Sequence, residues 1–122
     1  MSSEHKAITD RTFEFAVRIV KLCQVLNENS GVAQTLSKQL IKSGTSIGAN
    51  VEESQSAQST ADFINKLEIA LKEAKETRYW LRLLIATELM PESRLVSIIG
   101  EINEIIRIIA AIVVKTKQNH QK

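Results

Sequence analysis

Lys72, Lys75, Arg78 and Arg82 follow one another at three- and four-residue spacing, the interval that gathers side chains on one side of a helix. Cations so placed can meet nucleic-acid phosphates, and Lys38 and Lys42 would join them at the same end of a helical bundle. Lys72, Lys75 and Arg82 are the candidates for that contact, with Lys115 and Lys117 as a second basic group near the C-terminus. Glu68, Glu73, Glu76 and Glu88 are interspersed, and Glu68 to Lys72 is an ordinary i,i+4 pair, so a solvated helix face competes with a phosphate site. Arg78 lies close in angle to Leu67, Leu71 and Ile85, which predicts a part-buried guanidinium held by a carboxylate or carbonyl. Tyr79 and Trp80 can stack on bases, although aromatic side chains on a helix more commonly pack.

Other chemistry lacks the residues it needs. The only histidines, His5 and His120, sit in polar tails, so the Glu-x-x-His pairs of a di-iron bundle are missing and neither metal nor cofactor is expected. Gly44 and Gly48 have no preceding strand and no Gly-Lys-Ser/Thr ending, which favours close helix packing over a phosphate loop. No Ser-His-Asp or Cys-His set can activate a nucleophile. Glu52, Glu53, Glu73 and Glu76 could pair as acid and base, but nothing beside them marks a pocket. No catalytic residue and no enzyme are expected. Cys23, the one cysteine, lies among Ile19, Val20, Leu22 and Leu26 and reads as a small buried hydrophobe in a protein of the reducing cytoplasm.

The formal charge of +2 conceals a segmental pattern. Residues 43–65 contain Glu52, Glu53 and Asp62 without a base, whereas residues 105–122 contain Arg107, Lys115, Lys117 and Lys122 without an acid. The two segments would meet at one end of an antiparallel bundle. They would then neutralise each other, within or between subunits, unless the basic end is left free for a nucleic acid.

The elements that carry these residues are helices. With 122 residues, four Gly and one Pro, the chain reads as a single domain over residues 1–122 with helices at about 10–29, 32–58, 60–88 and 92–117. Asp10 is a plausible N-cap, Gly31 suits a left-handed helix stop, Ser59 with Asp62 resembles a capping box, and Pro91 fits a first helical turn. The fold class is all-α, an antiparallel up-down-up-down four-helix bundle. The longest apolar run, Ile105 to Val114, is interrupted by Arg107 and about half the length of a membrane span.

Apolar residues exceed what one core needs. The first helix has two stripes, Phe15/Ile19/Leu22/Leu26 and Phe13/Val17/Val20, which together cover roughly 220° of its circumference. In the fourth, Ile105, Ile106, Ile108, Ile109, Ile112, Val113 and Val114 surround almost the whole helix. A second copy is the simplest cover, so a homo-oligomer is expected with Phe15, Ile19, Trp80, Ile105, Ile108 and Ile112 in its interface.

The stretch Ser43-Gly-Thr-Ser-Ile-Gly-Ala-Asn-Val-Glu-Glu-Ser54, with Asp62 to Leu81 after it, resembles the bacterial four-helix-bundle protein family. That family is also called the S23 ribosomal protein or 23S rRNA intervening-sequence protein family. Ser46, Ile47, Asn50 and Glu53, then Glu73, Glu76, Trp80 and Leu81, carry the likeness, while Gly48 and Glu52-Glu53-Ser54 stand where many relatives have Pro and Ala-Glu-Gly. The resemblance implies a homopentamer associated with RNA or DNA. The alternative is a protein-interaction module or reverse-transcriptase-accessory-like factor without direct nucleic-acid contact, in which the acidic segment Glu52, Glu53 and Asp62 is presented to a protein partner.

Overall fold

Four stretches of the chain combine a helical apolar period with few internal breakers, and each is a helix in the computed structural model, which describes residues 7–29 and 31–120. They are α1 (Ile8–Leu26), α2 (Val32–Ser54), α3 (Thr60–Ala86) and α4 (Glu92–His120). α1 packs on α2, α2 on α3, α3 on α4, and α4 returns to α1, while diagonal helices stay apart. This is the antiparallel up-down-up-down four-helix bundle, and no strand occurs among the described residues.

Helix ends follow local hydrogen bonding more closely than apolar period. α1 starts earlier than Asp10: Ala7 is its N-cap without a side-chain bond, and Asp10 sits in the first turn, where its charge favours the positive helix end. It stops at Leu26, before Asn29, because the Glu28 and Asn29 amides bond three residues back, to Val25 and Leu26. Gly31 adopts φ 72 and serves as the N-cap of α2. α2 ends at Ser54 rather than Gln58, since the amides of Gln55, Ser56 and Ala57 likewise turn to carbonyls three residues behind. The Ser59 hydroxyl accepts from the Asp62 amide at 3.0 Å, and the Asp62 carboxylate accepts from the Gln58 amide at 3.3 Å.

α3 closes with a Schellman motif. The Glu88 amide donates to Ile85 and the Leu89 amide to Leu84, with Glu88 at φ 61 in the place that glycine usually takes. α4 continues three residues beyond Lys117, to His120.

The core is a column of Phe15, Ile19, Leu40, Ile47, Leu67, Leu81, Leu84, Leu95, Ile102, Ile105 and Ile109, each almost wholly buried. α1 has two different neighbours within it. Toward α2, a Cβ added at Gly44 would lie 2.8 Å from Ile19 Cγ2, and one at Gly48 would lie 3.2 Å from the Thr12 carbonyl oxygen. The backbones meet there because both glycines lack side chains. Toward α4, Arg11 spans to Glu101 with bonds of 2.7 and 3.1 Å, and Arg18 donates to Ser97 at 3.0 Å. That register sets Ile8 opposite about residue 104, so α4, about 43 Å long against about 28 Å for α1, runs on past the start of its partner.

Candidate nucleic-acid interface

α3 turns Leu67, Ala70, Ala74, Thr77, Leu81 and Leu84 inward. At 100° per residue, Lys72, Lys75, Tyr79 and Arg82 lie on the opposite side in one stripe, about 15 Å long from first to last. All four are exposed, and the three cations have no ion-pair partner among the described residues. Two of the neighbouring acids are engaged elsewhere: Glu68 pairs with Lys117 at 3.4 Å, and Glu76 accepts the Trp80 indole N–H at 3.3 Å. Lys38 and Lys42 are exposed on α2.

Arg78 behaves as its position predicts. It is half-buried and donates to the Asn103 side-chain oxygen at 3.1 Å, which withdraws it from phosphate contact. The structure separates the two aromatics. Trp80 packs against the core, while Tyr79 is 54% exposed and meets it in an edge contact with ring centroids 5.1 Å apart.

The second basic group is divided. Lys115 is exposed, whereas Lys117 is tied to Glu68, so the basic end of α4 and the start of α3 partly neutralise each other within one chain. Glu53 has Lys66 at 4.0 Å, and Arg107 pairs with Glu104 one turn away. Glu52, Glu53 and Asp62 line an open groove at the α2–α3 turn with Ala49, Ser56 and Lys66. Lys122 and His5 lie outside the described residues; His120 is exposed at the end of α4.

Half of the expected oligomer interface needs correction. Phe15 is 1% exposed, and Ile19 and Ile105 are 0% exposed, so all three are spent on the chain's own core and offer a partner no surface. The outward stripe of α1 is instead Phe13, Val17 and Val20. Gly44 and Gly48 hold the missing signal, since two glycines one turn apart on α2 mark where α1 seats its bulky Ile19. Trp80, Ile108 and Ile112 remain half-buried. Most of the apolar circumference of α4 is absorbed inside the chain, leaving Val114 and Val96 as its large exposed hydrophobics.

Cys23 is 2% exposed at the α1–α2 seam. Its thiol donates to the Ser37 carbonyl at 3.5 Å and the Ser37 hydroxyl donates back to the Cys23 carbonyl at 3.4 Å. Burial pushes the thiol pKa up, with the Ser37 bond opposing, so the sulfur is kept protonated rather than reactive. Among the described residues no three His, Cys, Asp or Glu side chains are grouped to hold a metal ion, and no helix is long and apolar enough to cross a membrane.

Residues 4–111 match the family model of the 23S rRNA-intervening sequence protein. A crystal structure from Bacteroides thetaiotaomicron, described as a protein of unknown function from the S23 ribosomal protein family, is 50% identical with a TM-score of 0.82. The match covers 88% of this chain and 98% of that one. No curated protein matches the chain.

Proposed function

Because the chain belongs to the 23S rRNA-intervening sequence protein family, we propose that it is a non-catalytic, oligomeric scaffold of the cytoplasm that associates with RNA. The observation that carries this reading is the row of exposed cations Lys72, Lys75 and Arg82, which have no ion-pair partner among the described residues while Glu68 bonds Lys117 and Glu76 bonds Trp80. Phosphate contacts of that kind give affinity without much sequence preference. Lys117 joins it only by leaving Glu68, and Lys115 lies on the α1 side of α4, about five turns along from Ser97.

The test is a fluorescent RNA titrated at two ionic strengths. Affinity should fall by at least tenfold between about 50 and 200 mM salt, and Lys72→Gln with Lys75→Gln should flatten that dependence. Absence of binding at the lower salt, or binding indifferent to salt, overturns the proposal.

Self-association is supported by the exposed apolar stripe Phe13, Val17 and Val20 on α1, beside the half-buried Ile108 and Ile112 where α4 outruns α1. A homopentamer gives a light-scattering mass of five chains; a particle of one 13.6 kDa chain at micromolar concentration rejects it. The protein-partner reading rests on the acidic groove of Glu52, Glu53 and Asp62. A pull-down partner that survives nuclease treatment and is lost on Glu52→Gln with Asp62→Asn favours that reading over RNA.

A further inference from the structure

We infer that the outer face of α3 takes single-stranded rather than duplex nucleic acid, with Tyr79 as a stacking platform between phosphate-binding cations; this rests on the proposed association with RNA. Recognition of single strands combines a basic track for the backbone with aromatic faces for the bases, and α3 supplies both on one stripe. Lys72 and Lys75 precede Tyr79 by seven and four residues, and Arg82 follows by three, so the ring stands inside the row of charges.

The ring is also available and held. Its planes are inclined 76° to those of Trp80, an edge contact that leaves at least one Tyr79 face free of the indole. Trp80 is itself fixed by packing on the core and by its bond to Glu76, so the platform is seated on a rigid neighbour. Beside it lies an open, largely apolar hollow of about 360 Å³ lined by Tyr79, Arg82, Leu83, Ile85 and Ala86. A base unstacked from its strand can enter such a hollow over the ring, with Arg82 at the rim for the adjoining phosphate. Paired bases in a duplex cannot leave their stack without cost, and the flat row of three cations alone would not discriminate.

Fluorescence anisotropy with a short single-stranded RNA and its blunt duplex, at equal low salt, tests this on the intact protein. The single strand should bind more tightly. Tyr79→Ala should weaken it by about tenfold while leaving duplex affinity and the salt dependence unchanged, and Tyr79→Phe should bind as the parent does. Lys72→Gln should instead weaken both probes and reduce the salt slope by about one. Equal binding of both probes, or single-strand binding indifferent to Tyr79→Ala, overturns the stacking inference and leaves RNA association standing. Failure of both probes to bind removes the association itself. A change in light-scattering mass on Tyr79→Ala would assign the hollow to a second copy and overturn the inference.

Discussion

α1 meets its two neighbours by opposite means. Toward α2 the contact is steric: Ile19 fills the space that Gly44 leaves, and the Thr12 backbone lies over Gly48. Toward α4 it is electrostatic and shorter, a two-bond Arg11–Glu101 pair and an Arg18–Ser97 bond, in a seam that α4 outruns. A close-packed seam has no room to adjust, whereas a charged seam at the edge of the core is open to water. The two should therefore differ in what damages them and by how much.

The largest effect belongs to Gly44. Adding even one carbon there brings it to 2.8 and 2.9 Å from Ile19, whose side chain is wholly buried and cannot swing away. Gly44→Val should cost about 3 kcal/mol, the upper part of the range for overpacking, read as a loss in denaturant midpoint at unchanged slope. Retention of the parent's stability would show that the backbones can separate, and the contrast between the seams would fall. Arg11→Ala comes second, at about 1–2 kcal/mol. Arg11 is almost buried, but Glu101 keeps a quarter of its side chain in solvent, so the carboxylate left behind can rehydrate. A loss as large as that of Gly44→Val would mean that the charged seam is as closed as the steric one.

Gly100 reverses the sign. It lies inside α4 with nothing within 4 Å of an added Cβ, so Gly100→Ala should stabilise the protein by about 0.5–1 kcal/mol through helix propensity alone. A calorimetric melt that moved down would place an unseen contact at that position.

These same residues mark what was legible in the sequence. Four helices, their order and the Ser59–Asp62 cap follow from period and capping chemistry, which are local. The part-buried Arg78 and the inert Cys23 follow too, because their helical neighbours set their surroundings. The inner face of α1 did not follow. Its two apolar stripes are equivalent until α2 is placed against one of them, and Phe15 and Ile19 went to the wrong side of that choice. For Ile105 the reason is length: an apolar helix looks uncovered from its own sequence, although α1 and α3 hide most of it. The pairing of Lys117 with Glu68, 49 residues apart, depends on α4 reaching the start of α3 and is invisible to any local rule.

The smallest effect distinguishes the seams by pH. Burial at the α1–α2 seam raises the Cys23 thiol pKa above its ordinary value, and its partners there are the uncharged Ser37 groups. Up to about pH 7.5, roughly one unit below the ordinary thiol pKa, the thiol is protonated in both folded and unfolded chains and adds no pH dependence. Above that, the unfolded thiol ionises while the folded one does not, so stability declines as pH rises toward the folded pKa. Cys23→Ala should be the less stable protein at neutral pH, and its deficit relative to the parent should shrink between about pH 7.5 and 10, because every other titrating group is common to both. Arg11 at the other seam gives no such change, since the Glu101 bond lifts a guanidinium pKa that is already far above this window. Urea titrations of both proteins across that range read the difference directly. A deficit that stayed constant with pH would mean that water reaches the thiol, and that the glycine-lined seam is no drier than the charged one.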